Sequence, residues 1–362
     1  MKILVVCRSL TEPCDGGRVV TKRNISILKS YFKDIYIVET PRIGVLQRLA
    51  NILLLRPYNY SKAVKEDITT IIDECDWVFL DGSLYGNFAK IAKKKGKKVC
   101  TFYHNIEYLY YKQMINLDKV KMKSLYLFYI WYNERLSTKY SNKIITISSR
   151  DGVALETIYK RKSDAVIPTS FNKIELQNSY LDLYKPEINQ LYCLFVGSDF
   201  YANREGVLWF IKNVLPNIKM TLVVAGSICN SLEQYRGKYS NLVLKGFVDN
   251  LDELYFKSSC VISPIFSGSG LKTKTIEAMR YGKFILGTSE AFVGVEKHIS
   301  EVGVLCDTKE DYISGLEHIL SIYEKDSTSQ TTFFKSSYDC FIKNYAHDVA
   351  YAKFAQVFKS NE

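Results

Sequence analysis

Short apolar strands alternate with helical segments along this chain, and the alternation runs through twice. The first half offers ILVV (3–6), DIYIVE (34–39), WVFLD (77–81), KKVCTFYH (97–104) and KIITIS (143–148), with an apolar-periodic helix over 19–31. The second offers LYCLFVG (191–197), an amphipathic EGVLWFIKNVLPNI, then MTLVVAG (220–226), NLVLKGF (241–247), CVISP (260–264) and KFILGT (283–288). Strands this apolar are buried on both faces, which is how parallel sheets covered by helices read. Their spacing leaves room for the crossover each parallel pair needs. The pattern predicts an α/β chain of two Rossmann-like domains with parallel sheets facing each other across a cleft. The expected division is 1–170, a polar linker over 171–185, 186–335, and a helical segment over 336–362. That last segment packs either on its own domain or back on the first. Ligands of open parallel sheets bind at the carboxyl ends of the strands, where Gly16-Gly17, His104, Gly197 and the loop 267–270 fall.

One segment carries most of the chemistry: SPIFSGSGLKTKTIEAMRYG, residues 263–282. A strand leads into the small loop Ser267-Gly268-Ser269-Gly270, and a helix with Lys272 and Lys274 at its start follows. Glycines let a ligand approach the backbone, and a helix start presents unpaired N–H groups with a positive dipole end. Two lysines at that point suit an anion such as a diphosphate, and Glu277 one turn later suits hydroxyl groups beside it. A capped surface helix with a Lys274–Glu277 pair, worth a few tenths of a kcal/mol, is the plainer alternative.

With 362 residues, 47% hydrophobic and 24% charged, the chain has an ordinary globular composition of two-domain size. No apolar run approaches the roughly 18 residues of a membrane-spanning helix, and MKILVVCRSL reads as a first strand rather than a signal peptide. Nine cysteines stand singly without CxxC spacing, as expected of reduced thiols in a cytoplasmic protein. The net charge of +11 is uneven: residues 1–185 hold 31 Lys/Arg against 18 Asp/Glu, and residues 186–362 hold 18 against 20. A basic first half implies an anionic partner for that half. Leu125–Tyr132 (LYLFYIWY) is uniformly apolar or aromatic, which fits a buried helix or one meeting a membrane interface or acyl chain.

With these segments in hand, the sequence resembles the family-4 retaining glycosyltransferases of GT-B type. The resemblance rests on DGGRVV, YHNIEYLYY, FVGSDFYANREGVLWFIKNVLP, LVLKGFVDNLDELYFKSSCVISP and GSGLKTKTIEAMRYGKFILGT with its following AFVGVE, in the family's order. It implies that the second domain grips a nucleotide-sugar and the first holds the acceptor. By that resemblance Lys274 and Arg204 neutralise the donor diphosphate, and Glu277 takes the ribose hydroxyls. Phe247 and Val248, after Gly246, lie against the base. Gly16 and Gly17 bring the first domain's loop near the phosphates, and His104 stands near the transferred sugar. Gly197, Gly270, Leu271 and Lys272 complete the donor site. Many members carry Glu-x7-Glu; here Ser269 replaces the first Glu, so the sugar's identity does not carry over. No Asp-x-Asp is present; no metal and no other cofactor is expected, protein cations stabilising the leaving group.

The expected reaction is transfer of a sugar to a glycan or lipid-linked acceptor of a surface polysaccharide, on the inner face of the cell membrane. An epimerase of the same double-Rossmann design is a rival, disfavoured because the sequence offers few obvious acid/base carboxylates besides Glu107. A basic nucleic-acid or membrane-binding module is another; no helix-turn-helix, RRM-like or zinc motif supports nucleic acid.

Overall fold

The structure, a computed structural model, describes residues 1–11, 16–117, 123–174, 191–268, 270–325 and 327–359. The chain forms two compact units, Met1–Thr169 with Ala350–Glu362, and Ser170–Val349. Each is built on a parallel six-stranded sheet.

In the first unit the strands are β1 (Lys2–Arg8), β2 (Asp34–Thr40), β3 (Trp77–Asp81), β4 (Lys98–Tyr103), β5 (Lys143–Thr146) and β6 (Ala165–Val166). They lie in the order β2-β1-β3-β4-β5-β6, and every pairing is parallel. β3 is buried at all five positions, as a central strand covered on both faces must be. The final helix, His347–Lys359, adds Phe354 and Phe358 to this core. Phe358 meets Trp77 edge-on at 5.0 Å and Phe32 at 5.2 Å, and Phe354 stacks on Phe102.

The second unit repeats the construction with β7 (Tyr192–Val196), β8 (Thr221–Ala225), β9 (Leu242–Gly246), β10 (Cys260–Ser263), β11 (Ile285–Gly287) and β12 (Gly303–Leu305). Its order, β12-β11-β10-β7-β8-β9, is the doubly wound arrangement that reverses direction between β7 and β10. The helix Tyr201–Asn213 follows β7 and must pass close to the chain leaving β10. Gly206 permits this: a Cβ there would stand 1.5 Å from the Pro264 carbonyl oxygen.

The structure amends several sequence expectations. The first helix begins at Gly16, so Gly16 and Gly17 form its first turn instead of a preceding loop. The C-terminal segment is two helices, Ser327–Asn344 and His347–Lys359, broken at Tyr345-Ala346. There Ala346 bridges Phe171 and the Tyr345 hydroxyl donates to the Gly294 carbonyl at 2.7 Å. The short strands β6 and β12 have too few residues for their alternation to stand out. Residues 175–190, most of the expected linker, lie outside the described residues. The aromatic run Leu125–Tyr132 lies in the helix Lys123–Tyr140, with Tyr129 and Ile130 buried beside Leu84 and Phe128 exposed. All eight described cysteines are free and buried.

Candidate functional site

In the second unit, Gly197, Gly270, Leu271 and Lys272 follow the carboxyl ends of β7 and β10, the switch point of the sheet, and Lys274 and Glu277 lie on the helix that comes next. β7 ends beside Gly197 and β10 leads into the loop 264–272. Gly268 (φ +126°) and Gly270 (φ +64°) hold conformations that a side chain would strain. Ser269 lies outside the described residues. Leu271 is buried and anchors the loop, its side chain packed under Gly294.

Lys272 caps the helix Thr273–Arg280. Its ammonium donates to Glu290 Oε1 at 2.7 Å and to the Gly270 carbonyl at 3.0 Å. Lys274 is placed differently. It donates to the neutral Asn203 amide oxygen at 2.5 Å and lies 4.2 Å from the Phe195 ring centroid. Burial, and then the charge of Lys272, pull its pKa down to about 7. A half-buried ammonium held by an amide and a ring is well placed to gain from an arriving anion. Lys274 and Glu277, one turn apart, therefore turn to different partners. Glu277 accepts from the Tyr255 hydroxyl at 3.2 Å, and burial raises its carboxyl above the ordinary range. Tyr255 is itself fixed by stacking on Tyr281, centroids 4.4 Å apart and planes 3° apart.

Arg204 sits on the exposed side of the helix Tyr201–Asn213. Its guanidinium makes two bonds to Asp199 Oδ1, at 2.8 and 3.1 Å, and Ser231 donates to the same carboxylate. Phe247 follows Gly246 (φ +74°) at the end of β9 and is 79% exposed, with Val248 half-buried next to it. An aromatic ring so exposed beside a strand end is available to stack on a flat ligand.

In the first unit the corresponding switch point lies between β1 and β3. His104, just past β4 and 8% exposed, places Nε2 3.1 Å from Asp81 Oδ2. Asp81 ends β3 and is buried. It also accepts from the Thr21 hydroxyl and, at 2.7 Å, from the Asn24 amide, both on the helix that Gly16 and Gly17 begin. Burial alone would raise the Asp81 carboxyl; His104 and these donors outweigh it and hold the group below its usual value. Arg23 is buried nearby, donates to the Pro168 carbonyl at 2.9 Å and lies over Phe102. Glu107 is the first residue of the helix Glu107–Leu117, and burial raises its carboxyl. The start of that helix is satisfied by Glu134: its carboxylate accepts from the N–H groups of Glu107 (2.9 Å) and Tyr108 (3.1 Å), and from Ser83 and Tyr159.

Sequence reasoning did not find Asp81, Thr21, Asn24, Asn203, Tyr255 or Glu134. Asp81 had a signal, an acid closing the apolar strand WVFLD. Asn203 and Tyr255 lie 71 and 22 residues from the side chains they hold, and nothing local marks them.

Known proteins share this design. Residues 190–322 match the family described as Glycosyl transferases group 1. An uncharacterized 44.6 kDa protein in the cps region of Klebsiella pneumoniae is 25% identical, across 94% of this chain and 83% of that protein. Anabaena Alr3699/HepE in complex with UDP is a similar solved structure, with a TM-score of 0.69, 15% identity, and coverage of 99% of this chain and 100% of that one. Sucrose-phosphate synthase from Thermosynechococcus elongatus gives 0.74 at 13% identity, covering 99% of both. With two parallel doubly wound sheets the chain has the GT-B fold, and its second unit carries the match to the group 1 glycosyltransferases.

Proposed function

We propose that this glycosyltransferase moves a hexose, with retention of anomeric configuration, from a nucleotide-sugar to a glycan or lipid-linked acceptor in surface polysaccharide synthesis. The observation that carries the donor reading is Lys274: an ammonium packed on an amide and a ring at the switch point of the second sheet, next to a helix start. A diphosphate at this point would bring Lys274 the negative charge that Asn203 and Phe195 lack. In the reaction the bond from the anomeric carbon to the diphosphate oxygen breaks, and the diphosphate departs with the electron pair. Lys274 and helix N–H groups then face the growing charge. The acceptor hydroxyl oxygen bonds the anomeric carbon, and its proton passes to the departing diphosphate. Glu277, held by Tyr255, takes the ribose hydroxyls, and Phe247 with Val248 borders the base. Lys272 reaches the phosphates on release from Glu290, as Arg204 does from Asp199. His104, oriented by Asp81, stands at the sugar.

Structures of HepE are described with UDP and with UDP-glucose, which makes uridine diphosphate sugars the first donors to try. The cps-region relative supports a capsular or similar polysaccharide as the product. Protein cations take the place of a metal, and no cofactor is required. The test is incubation with a panel of nucleotide-sugars and candidate acceptors, with NMR of the first-formed product. A new glycosidic bond with the donor's anomeric configuration supports the proposal; an inverted linkage refutes retention, and free epimerised nucleotide-sugar refutes transfer.

A further inference from the structure

Large exposed aliphatic side chains concentrate in one place on the first unit. The helix Val45–Leu53 exposes Val45 (72%), Leu46 (83%), Leu49 (48%) and Leu53 (67%), and Leu54 follows it. No other stretch of ten described residues exposes more than two large hydrophobics. At helical spacing the four side chains fall within an arc of about 100°. Two residues hold the helix to its unit: Asn51, buried on the far side, donates to the Tyr60 carbonyl at 3.0 Å, and Ile52, at the edge of the arc beside Val45, packs with Leu84, Tyr129 and Ile130. The outward leucines therefore have no part in the core. Leaving so much apolar surface in water is unfavourable unless something covers it.

Charge decides between the possible covers. From Pro41 to Lys65 the chain contains Arg42, Arg48, Arg56, Lys62 and Lys65 and no Asp or Glu. Arg48 is exposed at one flank of the leucine face, and the helix's first turn has no acidic residue. A second copy docking on this face by two-fold symmetry would set arginine against arginine. A nine-residue helix, about 14 Å long, also offers far less than the roughly 800 Å² per partner of a stable dimer. Aliphatic side chains bordered by arginines match an anionic bilayer, where the former enter the headgroup boundary and the latter meet lipid phosphates.

We infer that the helix Val45–Leu53 is a membrane anchor that lies flat on anionic lipid, with Val45, Leu46, Leu49 and Leu53 inserted. This helix contains none of the candidate site residues, so the inference goes beyond sugar transfer and does not depend on it. The aromatic run Leu125–Tyr132 supports this helix from beneath through Tyr129 and Ile130 instead of entering the bilayer itself.

The test is co-sedimentation of the full chain with phosphatidylcholine vesicles, with and without 30% phosphatidylglycerol, at low and high salt. Wild-type protein should bind the anionic vesicles and leave them as salt rises. Leu46→Gln/Leu49→Gln, both outward-facing and harmless to folding, should lower partitioning at least tenfold with an unchanged melting temperature. Arg42→Gln/Arg48→Gln should lower it on anionic vesicles alone. Val153→Gln, an exposed aliphatic on the helix Ser149–Tyr159 of the same unit, should change nothing. No wild-type binding, equal binding to both vesicle types, or full binding by the leucine variant overturns the inference. So does a concentration-dependent dimer in sedimentation velocity that the leucine variant abolishes, since a second copy would then be the partner.

Discussion

His104 Nε2 stands 3.1 Å from Asp81 Oδ2, and the two side chains come from the ends of adjacent strands. Thr21 and Asn24 hold the same carboxylate from the helix after β1. One buried acid thus ties three elements at the switch point of the first sheet and fixes the orientation of the histidine.

That relationship predicts a stability change with a definite pH sign. The folded Asp81 pKa lies below the ordinary value near 3.9. Its contribution is therefore present above that value and lost as pH falls through the lower folded pKa. Asp81→Asn should cost about 1.5–3 kcal/mol at pH 7, the typical loss for hydrogen bonds to a charged group. It should also remove part of the acid-induced loss below pH ~4. His104→Ala should move that loss to higher pH, because the main influence lowering Asp81 is gone. Urea unfolding between pH 2.5 and 7 measures both.

Lys274 has the opposite kind of shift. Its folded pKa, about 7, lies below the ordinary lysine value of about 10.4. Between these values the unfolded chain binds the extra proton, so this group's contribution makes stability rise with pH from about 7 to 10. A bound diphosphate favours the charged amine and reverses the shift. Binding of a nucleoside diphosphate above pH 7 should therefore take up a proton and weaken as pH rises. Calorimetry in buffers of different ionisation enthalpy reads the proton directly. Lys274→Arg should abolish the uptake.

Glu134 is a structural acid. Four donors converge on it, and two are the first N–H groups of the helix Glu107–Leu117. Glu134→Ala leaves those donors unanswered and should cost about 1–3 kcal/mol, the usual penalty for an unsatisfied buried polar group. Denaturant titration of the full chain is the check, and a cost below about 1 kcal/mol would show that water replaces the carboxylate.

Much of this architecture was legible in the chain. Strands such as WVFLD and CVISP are too uniformly apolar to lie anywhere but inside a covered sheet, and both appear where their composition placed them. The glycine loop and the helix carrying Lys274 were equally readable, because backbone conformation is a local property. What escaped were partners set by the sheet order: Asn203 for Lys274, Tyr255 for Glu277, Asp81 for His104. The break at Tyr345-Ala346 was hidden for a related reason, since the pairing with Phe171 interrupts an otherwise helical pattern. The exposed leucines of Val45–Leu53 were invisible because an amphipathic helix has the same periodicity whether its apolar face is covered or bare.

The metal-free mechanism predicts that dialysis against EDTA leaves the transfer rate unchanged. A rate that collapses and returns only with magnesium or manganese would transfer the leaving-group role from Lys274 to an ion.

The proposed donor site has the second unit binding a nucleoside diphosphate through Lys274 and Glu277. Calorimetric titration of the full chain with UDP, GDP, TDP and ADP tests it, using wild type, Lys274→Ala and Glu277→Ala. Saturable binding of at least one nucleotide is expected, weakened about 10–100-fold in each variant, as loss of an ionic hydrogen bond implies, with melting temperatures showing both variants folded. Binding of none of the four by the wild type, or unchanged affinity in both variants, would contradict it.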